Sequence, residues 1–135
     1  LNLKIKKRES FRPFAPSILK AHIHDWFEVP KNDYEVPDMM KVYKFKKDKK
    51  DLVPAVCHVD QTGRLQTVTK ELNEKYYDLV NLFYEKTKVP MLLNTSFNEN
   101  EPIVCTPQES IDCFLRTNMD FLAIEDFLIV RNTSI

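Results

Sequence analysis

VPMLLNTSFN, residues 89–98, joins an apolar run of strand length to a polar run without formal charge. Residues 89–93 read as a central buried strand, because both faces of such a strand meet apolar neighbours. The polar residues that follow then lie just past its carboxyl end. In open α/β sheets that is where ligands bind. Extended backbone puts Ser96 and Asn98 on one face, since side chains two apart point the same way. A hydroxyl and an amide, with Asn94 beside them, can hold anionic or carbonyl oxygens without adding charge. The same side chains can instead bond their own backbone in a turn. The residues alone leave both readings open.

Working outward, residues 72–87 place Leu72, Tyr76, Leu79, Val80 and Phe83 on one helical stripe. A second helix starts near Pro107: Thr106 is its N-cap, Pro107 stands at N1, and Glu109 at N3 completes a capping box. Residues 121–130 read as a strand or hairpin broken at Glu125 and Asp126. Upstream, Leu1, Leu3 and Ile5 alternate with polar residues, a strand pattern, and residues 18–27 read as a short helix. Residues 28–38 form a loop. Strands are expected at 39–45, 52–59 and 65–68, the last two as a hairpin around the turn DQTGR (60–64). Residues 46–51, KKDKKD, form a charged turn. Two helices each followed by a strand imply an α/β domain with a mixed sheet.

The chain has 135 residues, 43% of them hydrophobic, which suits one globular domain over residues 1–135. Twenty basic and twenty acidic residues cancel, so no global field draws the chain to nucleic acid or a membrane. No apolar run approaches the roughly 18 residues of a membrane span. The chain opens on Leu1 rather than Met, as a piece of a longer or processed polypeptide would. Cys57, Cys105 and Cys113 lack CxxC spacing and read as reduced, partly buried thiols of a cytoplasmic protein. Gly63 is the only glycine, which excludes the glycine-rich phosphate loops. Any phosphate site here depends on side chains.

Three further polar groups carry chemistry. In KIKKRESFR (4–12), Lys6, Arg8 and Arg12 share a face on an extended segment. They read as a phosphate clamp or, from this segment alone and by preference, as a solvated face balanced by Glu9. In HVDQTGR (58–64), His58, Asp60 and Arg64 flank a turn, and the His–Asp pair reads as a loop-holding pair rather than a metal site. His22 and His24 read as surface residues. The lysine-rich segment 41–51, with Tyr43 and Phe45, permits a nucleic-acid-binding module as an alternative. It reads first as a strand and a solvated turn.

IKKRESFRPFAPSIL, PAVCHVDQTGRLQTV and VPMLLNTSFNENEPIVCTPQESIDCFLRT occur in this order. The chain resembles, from about Lys4 to Val130, the C-terminal domain of the O-carbamoyltransferases related to NodU and to the enzymes that carbamoylate cephamycin and tobramycin. The resemblance implies a YrdC-like twisted mixed sheet with flanking helices. It implies activation of carbamoyl phosphate by ATP, with Mg²⁺, to carbamoyl-adenylate and pyrophosphate, with no metal held tightly by this part. It also implies an N-terminal actin-like ATPase-superfamily domain of the same polypeptide that transfers the carbamoyl group to a hydroxyl. A KxR…SxN signature maps onto Lys6, Arg8, Ser96 and Asn98. Arg12, Arg64, His58 and Asn94 match positions around the phosphates and the nucleotide, with Lys6, Arg12, Arg64 and Ser96 carrying the chemistry. A noncatalytic docking domain is the further alternative.

Two positions depart from the family pattern. Asn100 precedes Glu101 where the family has glycine, and HVDQT replaces HVDGT, with Gln61 at the glycine position. Asn tolerates a positive φ, so Asn100 is expected to preserve the loop. The resemblance places a GPRALG motif and an acceptor domain upstream of the matched segment, and neither occurs in this sequence, so this chain alone is expected not to complete carbamoyl transfer.

Overall fold

The computed structural model describes residues 2–7, 9, 11–32 and 34–131. Among them the elements run β1 (Ala15–Leu19), α1 (Ile23–Trp26), β2 (Tyr43–Lys44), β3 (Thr62–Gly63), β4 (Gln66–Val68), α2 (Glu74–Thr87), β5 (Met91–Asn94), α3 (Pro107–Arg116), β6 (Phe121–Ile124) and β7 (Phe127–Val130). Short 3₁₀ turns lie at Lys20–His22 and Lys50–Leu52. This is a mixed α/β architecture. The chain divides into two compact units, Pro13–Thr95 and residues 1–12 with 96–135.

In the unit Pro13–Thr95, β1 is the centre of a three-stranded mixed sheet in the order β4-β1-β5. It runs parallel to β4, with Ile18 opposite Thr67, and antiparallel to β5, with Ile18 opposite Met91. Every residue of β1 is buried, as expected of a strand covered on both faces. The apolar stretch residues 89–93 therefore contributes an edge strand rather than the centre. Ile18, Leu19, Ile23, Trp26 and Phe27 are all in the core, but a single helix does not bring them there. Ile18 and Leu19 arrive on β1, and the helix is the single turn of α1.

The expected hairpin of 52–59 with 65–68 does not form. Residues 52–59 end a 3₁₀ turn and continue through further turns. Val53 and Val56 are the buried pair there, a spacing of three that suits turns and not a strand. β4 pairs instead with β1, and β3 pairs with β2, with Gly63 opposite Tyr43. The strand expected over 39–45 shortens to β2. Gly63 is therefore a strand residue rather than the tip of a turn. A Cβ there would lie 2.7 Å from Phe45 Cε2 and 3.1 Å from Phe27 Cε1. The Phe27 and Phe45 rings stack at 4.2 Å between centroids. Glycine is required by this close approach and not by its φ.

α2 starts where Asn73 Oδ1 accepts the Tyr76 N–H and ends at Lys88, with φ 63°. Of the expected stripe, Val80 is fully buried, while Leu72 and Leu79 are exposed.

In the other unit, Thr106 Oγ1 accepts the Glu109 N–H, and Glu109 Oε2 accepts the Thr106 N–H, completing the expected box at α3. β6 and β7 form an antiparallel hairpin, with Ile124 opposite Phe127. Its turn passes through Glu125 at φ 51°, a left-handed geometry that matches the twist of paired strands. Arg131 ties the hairpin to α3. Its guanidinium donates to the carbonyls of Phe114 (2.5 Å), Thr117 (2.6 Å) and Met119 (3.1 Å). A cation at a helix C-terminus satisfies orphan carbonyls and favours the helix dipole.

Candidate functional site

The expected strand over residues 1–5 is absent from the described part: residues 2–5 form turns that carry the chain into Lys6. Lys7, at φ 44°, reverses it again. The result buries Lys6 to 4% exposure. Its Nζ donates to the Ser96 carbonyl (2.5 Å), the Asn98 carbonyl (2.7 Å) and Asn98 Oδ1 (2.8 Å), and lies 3.4 Å from Ser96 Oγ. The first residue of KxR thus sits on both polar residues of SxN, ninety positions away in the chain. Ser96 Oγ donates to Asn98 Oδ1 (2.6 Å), and Asn98 Nδ2 donates to the Glu101 carbonyl (2.7 Å). Ser96 and Asn98 therefore do share one side of their loop, although the backbone there is not a strand. A buried ammonium is costly unless well bonded. Three short charge-assisted bonds to neutral oxygens offset that cost and hold the loop in register.

A second set of charges surrounds this loop. Lys7 Nζ pairs with Glu99 Oε1 at 2.5 Å. Arg116, at the end of α3, pairs with Glu101 Oε1 at 2.5 Å and approaches Glu99 Oε2 at 3.9 Å. The backbone N–H of Glu101 itself, followed by those of Glu99 and Asn100 and the Cys113 thiol, holds the Glu101 carboxyl down at about 2, against the opposing effect of burial. Burial, and then the hydrogen bond to Glu101, pushes the Cys113 thiol up. Glu101, Ile103, Cys105, Glu109 and Arg116 border a cavity of about 260 Å³. Sequence reasoning did not single out Glu99, Glu101 or Arg116. The available signal was the acidic pair of NENE beside the polar loop, with an arginine in the last turn of the next helix.

Asn100 does not adopt a positive φ, contrary to the expectation that it replaces glycine in that way. Gln61, at the other departure, does, with φ 67°.

The remaining candidates divide between the units. Arg12, in the unit of Lys6, is exposed, with Glu9 Oε2 4.0 Å away. Arg8 lies outside the described residues. His58, Arg64 and Asn94 belong to the unit Pro13–Thr95. Thr62 Oγ1 lies 3.2 Å from His58 Nδ1 and donates to Asp60 Oδ1 at 2.6 Å, so the pair braces the turn. Arg64 is exposed. Asn94 Nδ2 donates to Gln66 Oε1 (2.8 Å), which also accepts the Ser17 hydroxyl (2.7 Å). Asn94 thereby links all three strands of the sheet. Among the described residues no three His, Cys, Asp or Glu side chains gather as metal ligands, and no helix is long and apolar enough to cross a membrane.

The family described as carbamoyltransferase C-terminus matches residues 1–131. The chain belongs to this family. Nodulation protein NolNO of Sinorhizobium fredii is 44% identical over 135 residues, covering 99% of this chain and 20% of its own. Nodulation protein NolO of Bradyrhizobium diazoefficiens is 44% identical over 130 residues, covering 96% of this chain and 24% of its own. Nodulation protein U of Sinorhizobium fredii is 37% identical over 95 residues, or 70% of this chain. The chain thus spans about a fifth to a quarter of the length of its first two relatives.

Proposed function

We propose that this chain is the carbamoyl-activating part of a cytoplasmic, ATP-dependent O-carbamoyltransferase. Family membership and the seating of Lys6 on Ser96 and Asn98 support the reading, and the second of these carries it. The balanced chemistry has two stages. Carbamoyl phosphate loses orthophosphate to water, leaving carbamate. A carbamate oxygen then forms a bond to the α-phosphorus of ATP, the α–β phosphoanhydride breaks, and pyrophosphate leaves with the electron pair. The product is carbamoyl-adenylate. A further domain of the same polypeptide, of the actin-like ATPase superfamily, transfers its carbamoyl group to a hydroxyl acceptor.

Lys6 holds the Ser96–Asn98 loop and places a positive charge beneath it. Ser96 and Asn98 orient the carbamoyl or phosphate oxygens. Arg8, Arg12 and Arg64 neutralise phosphate charge as it gathers for in-line attack. His58 and Asn94 contribute to the nucleotide side. Mg²⁺ would enter with the phosphates of ATP and screen their charge.

Isothermal titration of the chain with ATP and Mg²⁺, with and without carbamoyl phosphate, tests this. Arg12→Ala is expected to weaken binding about tenfold or more, roughly 1.4 kcal/mol. Ser96→Ala is expected to weaken it about fivefold, the loss of one hydrogen bond. ATP affinities unchanged in both folded variants would overturn the assignment. Lys6→Ala tests the loop itself and is read only after its fold is verified by circular dichroism.

A further inference from the structure

The lysine-rich segment 46–50 is left over by the proposed reaction. Two of its lysines, Lys46 and Lys49, line a polar basin of about 480 Å³ with His22, Asp25, Trp26, Asp48, Tyr84 and Lys88. That is the volume range of small-ligand sites. All of these residues belong to the unit Pro13–Thr95.

The charges around the basin do not cancel. Asp48 Oδ2 pairs with Lys49 Nζ at 3.2 Å, and Asp25 Oδ2 takes His22 Nδ1 at 3.2 Å. Among the described residues Lys46 has no carboxylate partner within ion-pair distance. The Lys88 ammonium bonds the Glu85 carbonyl, a neutral oxygen, at 3.1 Å. Three ammonium groups thus face two carboxylates at one concavity, with His22 neutral at pH 7, and this surplus of positive charge favours an anionic ligand. The hydrogen bond from Lys49, with the fields of Lys49 and Lys46, already holds the Asp48 carboxyl below the usual carboxylate range, so this rim stabilises anions.

Two aromatic rings fix the cations. Lys49 Nζ stands 5.5 Å from the Trp26 ring and Lys88 Nζ 6.0 Å from the Tyr84 ring, while His22 stacks on Tyr84 at 4.4 Å. Lys88 reaches its place through a left-handed backbone, φ 63°, where glycine is the ordinary choice. We propose that this basin binds a small oligophosphate, with Lys46 and Lys88 pairing with its phosphates while the Trp26 and Tyr84 rings hold the neighbouring cations in place. The inference is independent of the reaction proposed above.

Trp26 is the chain's only tryptophan, so its fluorescence reports on this basin. The probe is inorganic pyrophosphate, titrated at constant ionic strength set with chloride. A saturable change is expected, weakened at least tenfold in Lys46→Ala/Lys88→Ala. Lys88→Gly separates structure from binding: it is expected to raise the unfolding temperature while weakening pyrophosphate binding. Arg12→Ala is expected to leave the response unchanged, which distinguishes this basin from the candidate active site. The proposal is overturned by a response that does not saturate, by one that survives the double substitution, or by one lost in Arg12→Ala. A response to an oligonucleotide but not to pyrophosphate also overturns it, in favour of a nucleic-acid surface.

Discussion

Gln61 occupies a backbone conformation, φ 67°, that side chains with a Cβ avoid. The turn around it compensates. The Gln61 N–H donates to the His58 carbonyl at 2.9 Å, and Asp60 Oδ1 accepts the Thr62 N–H at 3.1 Å. A left-handed residue with a Cβ costs roughly 1–2 kcal/mol, and glycine gives back roughly 0.5–1 of that in chain entropy. Gln61→Gly is therefore expected to stabilise the protein by about 0.5–1 kcal/mol, read from the midpoint of urea unfolding. A lower midpoint would show that the Gln61 side chain, and not the backbone, governs the turn. Glu101 carries the acid dependence of the loop that seats Lys6. Its folded value of about 2 lies below the ordinary 4.5, so its contribution to stability is complete above about 4.5. It is lost as pH falls through the interval toward about 2. The protection of the amides of residues 96–101, taken relative to their intrinsic exchange rates at each pH, is expected to fall across that interval, and Glu101→Gln to remove the dependence. The same loss of protection in Glu101→Gln would assign it to another group. At this scale the candidate site was partly legible. The meeting of Lys6 with Ser96 and Asn98 was anticipated from the paired signatures. Glu99, Glu101 and Arg116 were not, because an ion pair across a loop leaves no periodic trace in sequence.

Elements whose signals are local came out as read. The box at Thr106 and Glu109 closes within one turn, so four residues suffice to announce α3. Thr106→Ala is expected to cost about 1 kcal/mol, measured by thermal unfolding, and a loss under about 0.3 kcal/mol would mean that packing and not the cap sets the start of α3. α2 and the β6–β7 hairpin, with its break at Glu125 and Asp126, likewise follow from neighbours in sequence. The strands of the other unit do not. Ile18 and Leu19 are adjacent, apolar and both buried, a pattern shared by a covered strand and a buried helix turn. Residues 52–59 look like a strand because they are apolar, yet they run through turns that bury Val53 and Val56. β1 is decided by β4 and β5 on its two sides, which lie about fifty and seventy-five residues further along the chain.

At the scale of the molecule, length suggested a single domain over residues 1–135, and the described chain groups into two compact units. One of them unites residues 1–12 with 96–135 across an intervening eighty-three residues, Pro13–Thr95. The single glycine excludes glycine-rich phosphate loops and leaves phosphate charge to be met by side chains. By itself, the sequence determined the mixed α/β class, the helices α2 and α3 and the family, and left residues 121–130 open between a strand and a hairpin. These rest on caps, periodicity and long motifs, all interactions between near neighbours or direct identities. Tertiary structure alone decided that β1 is the central strand, that Gly63 is required by two phenylalanine rings, and that the Lys6 ammonium is buried against the carbonyls of Ser96 and Asn98. Each depends on loop closure over tens of residues, where pairing partners and close approaches, not local preference, select the conformation.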